Sequence, residues 1–540
     1  MAWRIAVVGF LWAQSPPKLI VGLVVDQMRA DYLQRFVSEK SRGFGRLLHE
    51  GLVYLNCHYS YFPTYTAPGH AAIYSGASPA FHGIVANSWW ERSAGRLRYC
   101  VEDSLTTLVG PVSAEKGASP RALLCTTVAD ELRYAARYTN KTIGIALKDR
   151  SAILPIGFTG YLALWFSTKT GEWVTSTYYT DTLPAWVVRF NNQRYPDSLM
   201  RLGWQPKRLP PCGQDDPYYE GHLPGETHPT FPHRISNYES LIYTPWGTWL
   251  TFQLARWAIT EERLGKGLYP DLLAISLSSP DLTGHLFGTE SCELRSLYEE
   301  LDRQLADFLD FLLKRFSKQE LLVFLTADHG ASPTPEYLSA HKVAAGRYPE
   351  AVLVREAQAF LQRELRLPDT LQVVERFINQ SFYLSGQLGW EQRREAARRL
   401  KDWLLQQPHV LAAYTAEELA GRGGCFYIFQ MLQAGFHPQR SGDVIVVYAP
   451  GWVEHGGYTH GTTHGSIWTY DTHVPLIWWG GGLRSERRYE RVGITSIAPT
   501  ICLLLGIPFP SASVALPLEE VIRQWHQPPP HWYEGAESGN

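Results

Sequence analysis

Four runs of apolar residues, each closed by charged or metal-ligating side chains, set the tightest limit on how this chain can fold. Residues 18–25 (KLIVGLVV) lead into Asp26, and residues 142–147 lead into Lys148, Asp149 and Arg150. Residues 272–277 (LLAISL) end shortly before Asp281, and residues 321–326 run into Asp328 and His329. None alternates polar with apolar, so each reads as a strand buried on both faces rather than one that borders water. Residues 443–448 and 474–479 look like two more. Between 293 and 316, Leu294, Leu297, Leu301, Leu305, Phe308, Leu309 and Leu312 recur at helical spacing and predict a long amphipathic helix. Buried strands separated by helices predict an α/β fold with a largely parallel central sheet covered on both faces. Ligands of such sheets bind outside the carboxyl ends of the strands, where these polar residues fall.

A chain of 540 residues has room for one large α/β domain with insertions. Residues 18–525 read as that domain. Two stretches interrupt its pattern, 158–260, rich in Trp, Tyr and Pro, and 333–441, with helical and irregular segments. Both read as cap insertions over the sheet edge. Trp165, Tyr178, Tyr179 and Trp186 within the first line an entrance or, as is commoner for such residues, pack in the core. Residues 526–540 read as a flexible tail. Lys plus Arg total 50 against 52 Asp plus Glu, with no basic run, which disfavours a nucleic-acid binder. Aromatic residues at 13% exclude a disordered chain.

At the N-terminus, Arg4 precedes an apolar stretch over 5–12 and then Ala13. This is the order of a secretory signal, so residues 1–13 read as a signal peptide and the protein as periplasmic or secreted; the bland reading is a buried strand. A membrane span needs about 20 apolar residues, and no stretch reaches that. Seven scattered cysteines show no CxxC spacing, and sequence does not assign their pairing.

Metal ligands need lone pairs and little freedom, which points to the carboxylates and imidazoles at strand ends. Asp281 and His285 are spaced as Asp-x-x-x-His, Asp328 and His329 are adjacent, His464 lies in THGTTHGSIWTYDTHVP, and Asp26 in VVDQMRADY. Such a set without thiolate suits zinc in an open catalytic site, and manganese or another divalent ion fits too. Any one aspartate at a strand end is as often a helix cap; the combination carries the argument. Thr66, in TYTAPGHAAIYSGASPAFHGIVAN, precedes a segment with Pro68 in its first turn and so stands by a helix N-terminus, which favours an anion such as a phosphoryl oxygen.

Together with LKDRSAILPIG, SSPDLTGH, TADHG and HGSIWTYDTHVPLI, these segments resemble the alkaline phosphatase superfamily. More narrowly they look like the phosphate-irrepressible (PafA-type) alkaline phosphatases, which share a core with the type I phosphodiesterases and nucleotide pyrophosphatases. The resemblance implies two divalent metal ions, one held by Asp281, His285 and His464, the other by Asp26, Asp328 and His329, with Thr66 as nucleophile facing the second. It implies phosphate binding by Asn87 and by Lys148 and Arg150, the basic pair of the monoesterase branch. His460, also followed by glycine, competes with His464 for the ligand role, and His473 reads as a supporting group. Phe158 departs from the pattern, where a polar residue is expected. Two cations beside the phosphoryl group favour a monoester dianion over a diester. The expected function is therefore a phosphomonoesterase acting on small-molecule phosphate monoesters through a phosphothreonine intermediate. The rivals are a phosphodiesterase or nucleotide pyrophosphatase on the same scaffold, and a non-catalytic phosphate- or metal-binding protein. Oligomeric state is left open.

Overall fold

Strand Leu19–Val25 has a parallel neighbour on each side, Asp271–Leu277 and Leu321–Thr326, and is buried at all seven positions, so both faces of the sheet are covered there. The computed structural model describes residues 15–37, 41–111, 116–206, 212, 217–226, 230–421, 424, 426–454 and 459–526. The expected leader 1–13 lies outside the described residues. So does the expected tail beyond His526, the last residue of helix Glu519–His526.

The parallel set continues through Thr142–Ala146 to Leu162–Ser167. Its register pairs Val25 with Leu277, Val24 with Thr326, Ser276 with Ala146, and Ala146 with Trp165, so the five strands end level. That alignment turns residues hundreds of positions apart into neighbours. Both flanks of the twelve-stranded sheet are mixed. His473–Gly480 runs antiparallel to Leu321–Thr326, and Leu52–His58 antiparallel to His473–Gly480. A run buried on both faces looks the same in either direction, so residues 474–479 show their burial in sequence but not their polarity.

Helix Cys292–Leu313 is the long amphipathic helix, capped by Ser291, whose hydroxyl accepts from the Leu294 N–H at 3.1 Å. Leu294, Leu297, Leu301, Leu305, Phe308, Leu309 and Leu312 are at most 1% exposed, each burial stabilising by about 1.5–3 kcal/mol. Across it lies helix Pro245–Glu261, joined by Phe252 on Phe308 (centroids 4.9 Å apart) and by the Thr248 hydroxyl donating to Gln304.

The segment 158–260, expected as a cap, contributes to the sheet itself. Leu162–Ser167 is the fifth parallel strand and Glu172–Ser176 pairs antiparallel beside it. Of the aromatic residues singled out there, Trp165 and Trp186 are core, 8% and 5% exposed, while Tyr178 and Tyr179 are half-buried. The segment 333–441 behaves differently. It joins Val444–Tyr448, expected in the main sheet, in a separate four-stranded antiparallel sheet with Val374–Ile378, Ser381–Leu384 and Val410–Thr415. This sheet has its own apolar cluster with Leu353, Leu361, Leu400 and Leu404.

Candidate active site

Level strand ends fix where the site is. Asp26 follows its strand directly, Asp328 and His329 follow theirs by two and three residues, and Asp281 and His285 share one face of helix Ser279–Phe287, four residues apart. His464 arrives in a loop docked on that helix: the Thr462 N–H donates to the Gly284 carbonyl (3.1 Å) and the His285 Nδ1–H to the Thr462 carbonyl (2.9 Å). Two donor groups result, Asp281 with His329 and His464, and Asp26 with Asp328 and His329, each offering ligand atoms within 4.8 Å of one another. His285 adjoins the first group, its Nε2 3.1 Å from Asp281 Oδ1. The His329 ring stands between the groups, stacked on His464 at 3.5 Å. His460 is exposed and contacts Thr459, and His473 stacks on His58 outside the cluster, so His464 is the histidine that the fold brings in.

Backbone carbonyls set the imidazoles to one tautomer. The Nδ1 atoms of His285, His329 and His464 lie 2.9, 2.9 and 2.8 Å from the carbonyls of Thr462, Gly330 and Thr64. A carbonyl only accepts, so each Nδ1 carries the hydrogen, and in the neutral rings of His329 and His464 the Nε2 lone pair faces the cluster. Burial holds His329 down at about 3 and His464 well below its ordinary value, so both stay neutral. At His285 the Asp281 charge outweighs burial and raises it.

The carboxylates are just as buried. Burial and Asp26 push the Asp328 carboxyl well up, and burial with Asp281 raises Asp26. Asp281 is held well below the usual range, because His285 and Lys148 outweigh its burial. The Lys148 ammonium donates to Asp26 Oδ2 (2.7 Å) and Asp281 Oδ2 (2.5 Å). Asp26 Oδ1 and Asp328 Oδ2 are buried and accept no hydrogen bond from the described residues. Leaving a buried carboxylate oxygen unpaired costs several kcal/mol. Two such oxygens beside neutral imidazole lone pairs fit divalent cations.

Thr66 opens helix Thr66–Ser75, and all ten of its residues are buried. Its Oγ1 lies 3.4 Å from His329 Nε2. A Cβ at Gly69 would stand 2.2 Å from the Asp328 carbonyl oxygen, so only glycine lets the helix sit this close to the ligand strand. Asn87 Oδ1 accepts from the Ala67 N–H at 2.9 Å, leaving its amide hydrogens for a ligand. Arg150 Nη1 donates to the Tyr99 hydroxyl (3.1 Å), which donates to Asp149. Phe158 packs half-buried against the main core.

Two residues of the cluster carry no signal in the sequence reading. His70 donates from Nδ1 to the Thr66 carbonyl and accepts at Nε2 from the Ser276 hydroxyl, both at 2.9 Å. Gln27 donates from its backbone to Asp328 and from its side chain to Asp281. Its position beside Asp26 is the only hint that the sequence holds.

The type I phosphodiesterase / nucleotide pyrophosphatase family model matches residues 20–473. Alkaline phosphatase PafA of Elizabethkingia meningoseptica is 37% identical over 96% of this chain and 98% of its own length. Alkaline phosphatase PhoV of Synechococcus elongatus is 36% identical, over 94% and 93%. The crystal structure of wild-type PafA superposes with a TM-score of 0.89 at 36% identity, covering 94% of this chain and 99% of that one. The chain belongs to the type I phosphodiesterase / nucleotide pyrophosphatase family and, within it, to the group that includes the PafA alkaline phosphatase.

Proposed function

We propose that this protein is an alkaline phosphatase, a metal-dependent hydrolase of small-molecule phosphate monoesters that works through a phosphothreonine intermediate. The observation that carries this is the buried Thr66 hydroxyl at a helix N-terminus, 3.4 Å from the histidine that both donor groups share. Asp281, His285 and His464 would hold one divalent ion, and Asp26, Asp328 and His329 the other; zinc suits this donor set. When bound, such ions supply Lewis acidity toward the phosphoryl and departing oxygens and lower the pKa of a nearby alcohol.

The residues of the chain do the rest. Thr66 Oγ1 bonds to phosphorus as the ester P–O bond breaks on the opposite side; water then breaks the Thr66–phosphate bond and inorganic phosphate leaves. The helix N-terminus and the Asn87 amide stabilise phosphoryl oxygens. Lys148 and Arg150 supply two fixed positive charges, which reward the additional charge of a monoester dianion over a diester. Residues 1–13 and the Cys212–Cys292 disulfide support an exported protein, since such bonds persist in oxidising compartments. Among the described residues no helix is long and apolar enough to cross a membrane.

The test compares hydrolysis of an aryl phosphate with that of its methyl aryl diester by zinc-loaded protein. The monoester is expected to turn over faster, and Thr66→Ala to lose more than about 10³-fold of that rate. A strong preference for the diester would place the chain with the phosphodiesterases instead. An undiminished Thr66→Ala variant would remove the nucleophile.

A further inference from the structure

Gln27 hydrogen-bonds to a carboxylate in each donor group, and unlike Lys148, which bridges Asp26 and Asp281, it does so without bringing a charge. Its backbone N–H donates to Asp328 Oδ1 at 3.2 Å, and its side-chain Nε2 donates to Asp281 Oδ1 at 2.7 Å. Both contacts span more than two hundred and fifty positions of sequence, yet one residue makes them. Its backbone is left-handed, with φ of +66°, a conformation that costs a residue with a side chain about 1 kcal/mol or more and persists where its surroundings enforce it. That turn, directly after Asp26, aims the N–H at one group while the side chain reaches the other.

The opposite wall is shaped to receive it. Gly284 sits one residue before His285, and a Cβ there would lie 2.0 Å from Gln27 Oε1. The Gln27 side chain is 1% exposed, so it has no room to move aside into solvent.

We infer that Gln27 is a positioning residue that couples the two cation sites, holding Asp281 at a fixed distance and angle from Asp328. The inference rests on the two-cation reading of the site. A neutral amide suits the task because it donates to a carboxylate without adding charge to the cluster. A glutamate of the same shape sets a third acceptor against Asp281. Outer hydrogen-bond partners of metal ligands are typically worth about 10–100-fold in metal affinity.

The test is metal retention, read separately from turnover. Purified wild type, Gln27→Glu, Gln27→Gly, Gly284→Ala and the Gln27→Gly/Gly284→Ala double variant are loaded with zinc and dialysed against graded chelator. Bound zinc per chain is then measured, with thermal unfolding of each chelated protein in parallel. Wild type is expected to retain two ions. Gln27→Glu and Gln27→Gly should release zinc at about 10–100-fold lower chelator concentration, while Gln27→Gly, which accepts the left-handed turn, unfolds when chelated within a degree or two of wild type. Gly284→Ala should weaken retention in the wild-type background and add little to Gln27→Gly, because its Cβ acts by displacing the Gln27 amide. Retention by both Gln27 variants equal to wild type overturns the inference, as does full additivity of the two substitutions. Wild type that binds no pair of ions overturns instead the two-cation reading beneath it.

Discussion

Lys148 sits where two demands on one charge conflict. Its side chain is 11% exposed and its ammonium bridges Asp26 and Asp281, two residues proposed to hold cations, yet the monoesterase reading needs it for the phosphoryl dianion. Positive charge is thus wanted at this point in any state, and Lys148→Met tests how it is shared. In chelator the variant should lose on the order of 3 kcal/mol, because two buried carboxylates lose their partner. With zinc present it should keep both ions while its monoester-to-diester rate ratio falls. Denaturation curves with and without chelator, beside the two rates, check both outcomes; a variant that loses zinc and keeps its substrate preference contradicts the assignment. At this scale the sequence showed residue types and their nearness to strand ends, which was enough for Asp26, Asp281, Asp328 and His329. It could not show that carbonyls of Thr64, Gly330 and Thr462 orient the imidazoles, or that His70 and Gln27 join the cluster. Those roles depend on how the folded backbone and distant side chains meet each residue, which leaves no mark in residue identity.

Helix Thr66–Ser75 shows why an element matters beyond its residues. It is buried on every side, so it has no polar face to reveal its setting, and its place is fixed by contact with Asp328 through Gly69. Gly69→Ala puts a methyl group 2.2 Å from a backbone oxygen that cannot rotate away, so the helix or the ligand strand must shift. Overpacking of this kind costs about 1–3 kcal/mol. A displacement of about 1 Å between nucleophile and phosphorus costs about 10²-fold in rate. The variant should therefore fold with a modestly lower melting temperature but lose kcat far more than stability. A wild-type kcat would show that the Thr66–Asp328 spacing does not govern turnover. Six strands were legible as buried runs, and so was the Cys292–Leu313 helix, whereas Leu52–His58, Leu162–Ser167 and Glu172–Ser176 were not. The direction of His473–Gly480 and the allegiance of Val444–Tyr448 were not, because burial on both faces is indifferent to strand polarity and to which core supplies it.

Across the molecule, the site depends on a buttress far from its chemistry. The Gly221 N–H donates to the Leu286 carbonyl, next to His285, and the Gly461 N–H donates to the Tyr219 carbonyl at the start of the loop carrying His464. The segment making these bonds is anchored through His233, whose ring nitrogens meet Glu226 (3.1 Å) and Glu293 (3.2 Å), beside the Cys212–Cys292 disulfide. Burial alone lowers the His233 pKa, but hydrogen bonds and charges from the two glutamates outweigh it and raise it to about 9. Because the folded value is above the unfolded one, this group adds stability that is complete below about pH 6.5 and is lost as pH rises through 9. The full effect is on the order of 3 kcal/mol, since each tenfold gain in proton affinity is worth about 1.4 kcal/mol. Chelator resistance of zinc-loaded protein should therefore decline between about pH 6.5 and 9 together with global stability, and His233→Gln should flatten the stability profile over the same window. Unfolding midpoints of wild type and variant across about pH 6–10 decide the matter: parallel curves in that window would mean that the His233 charge does not hold this flank of the site in place.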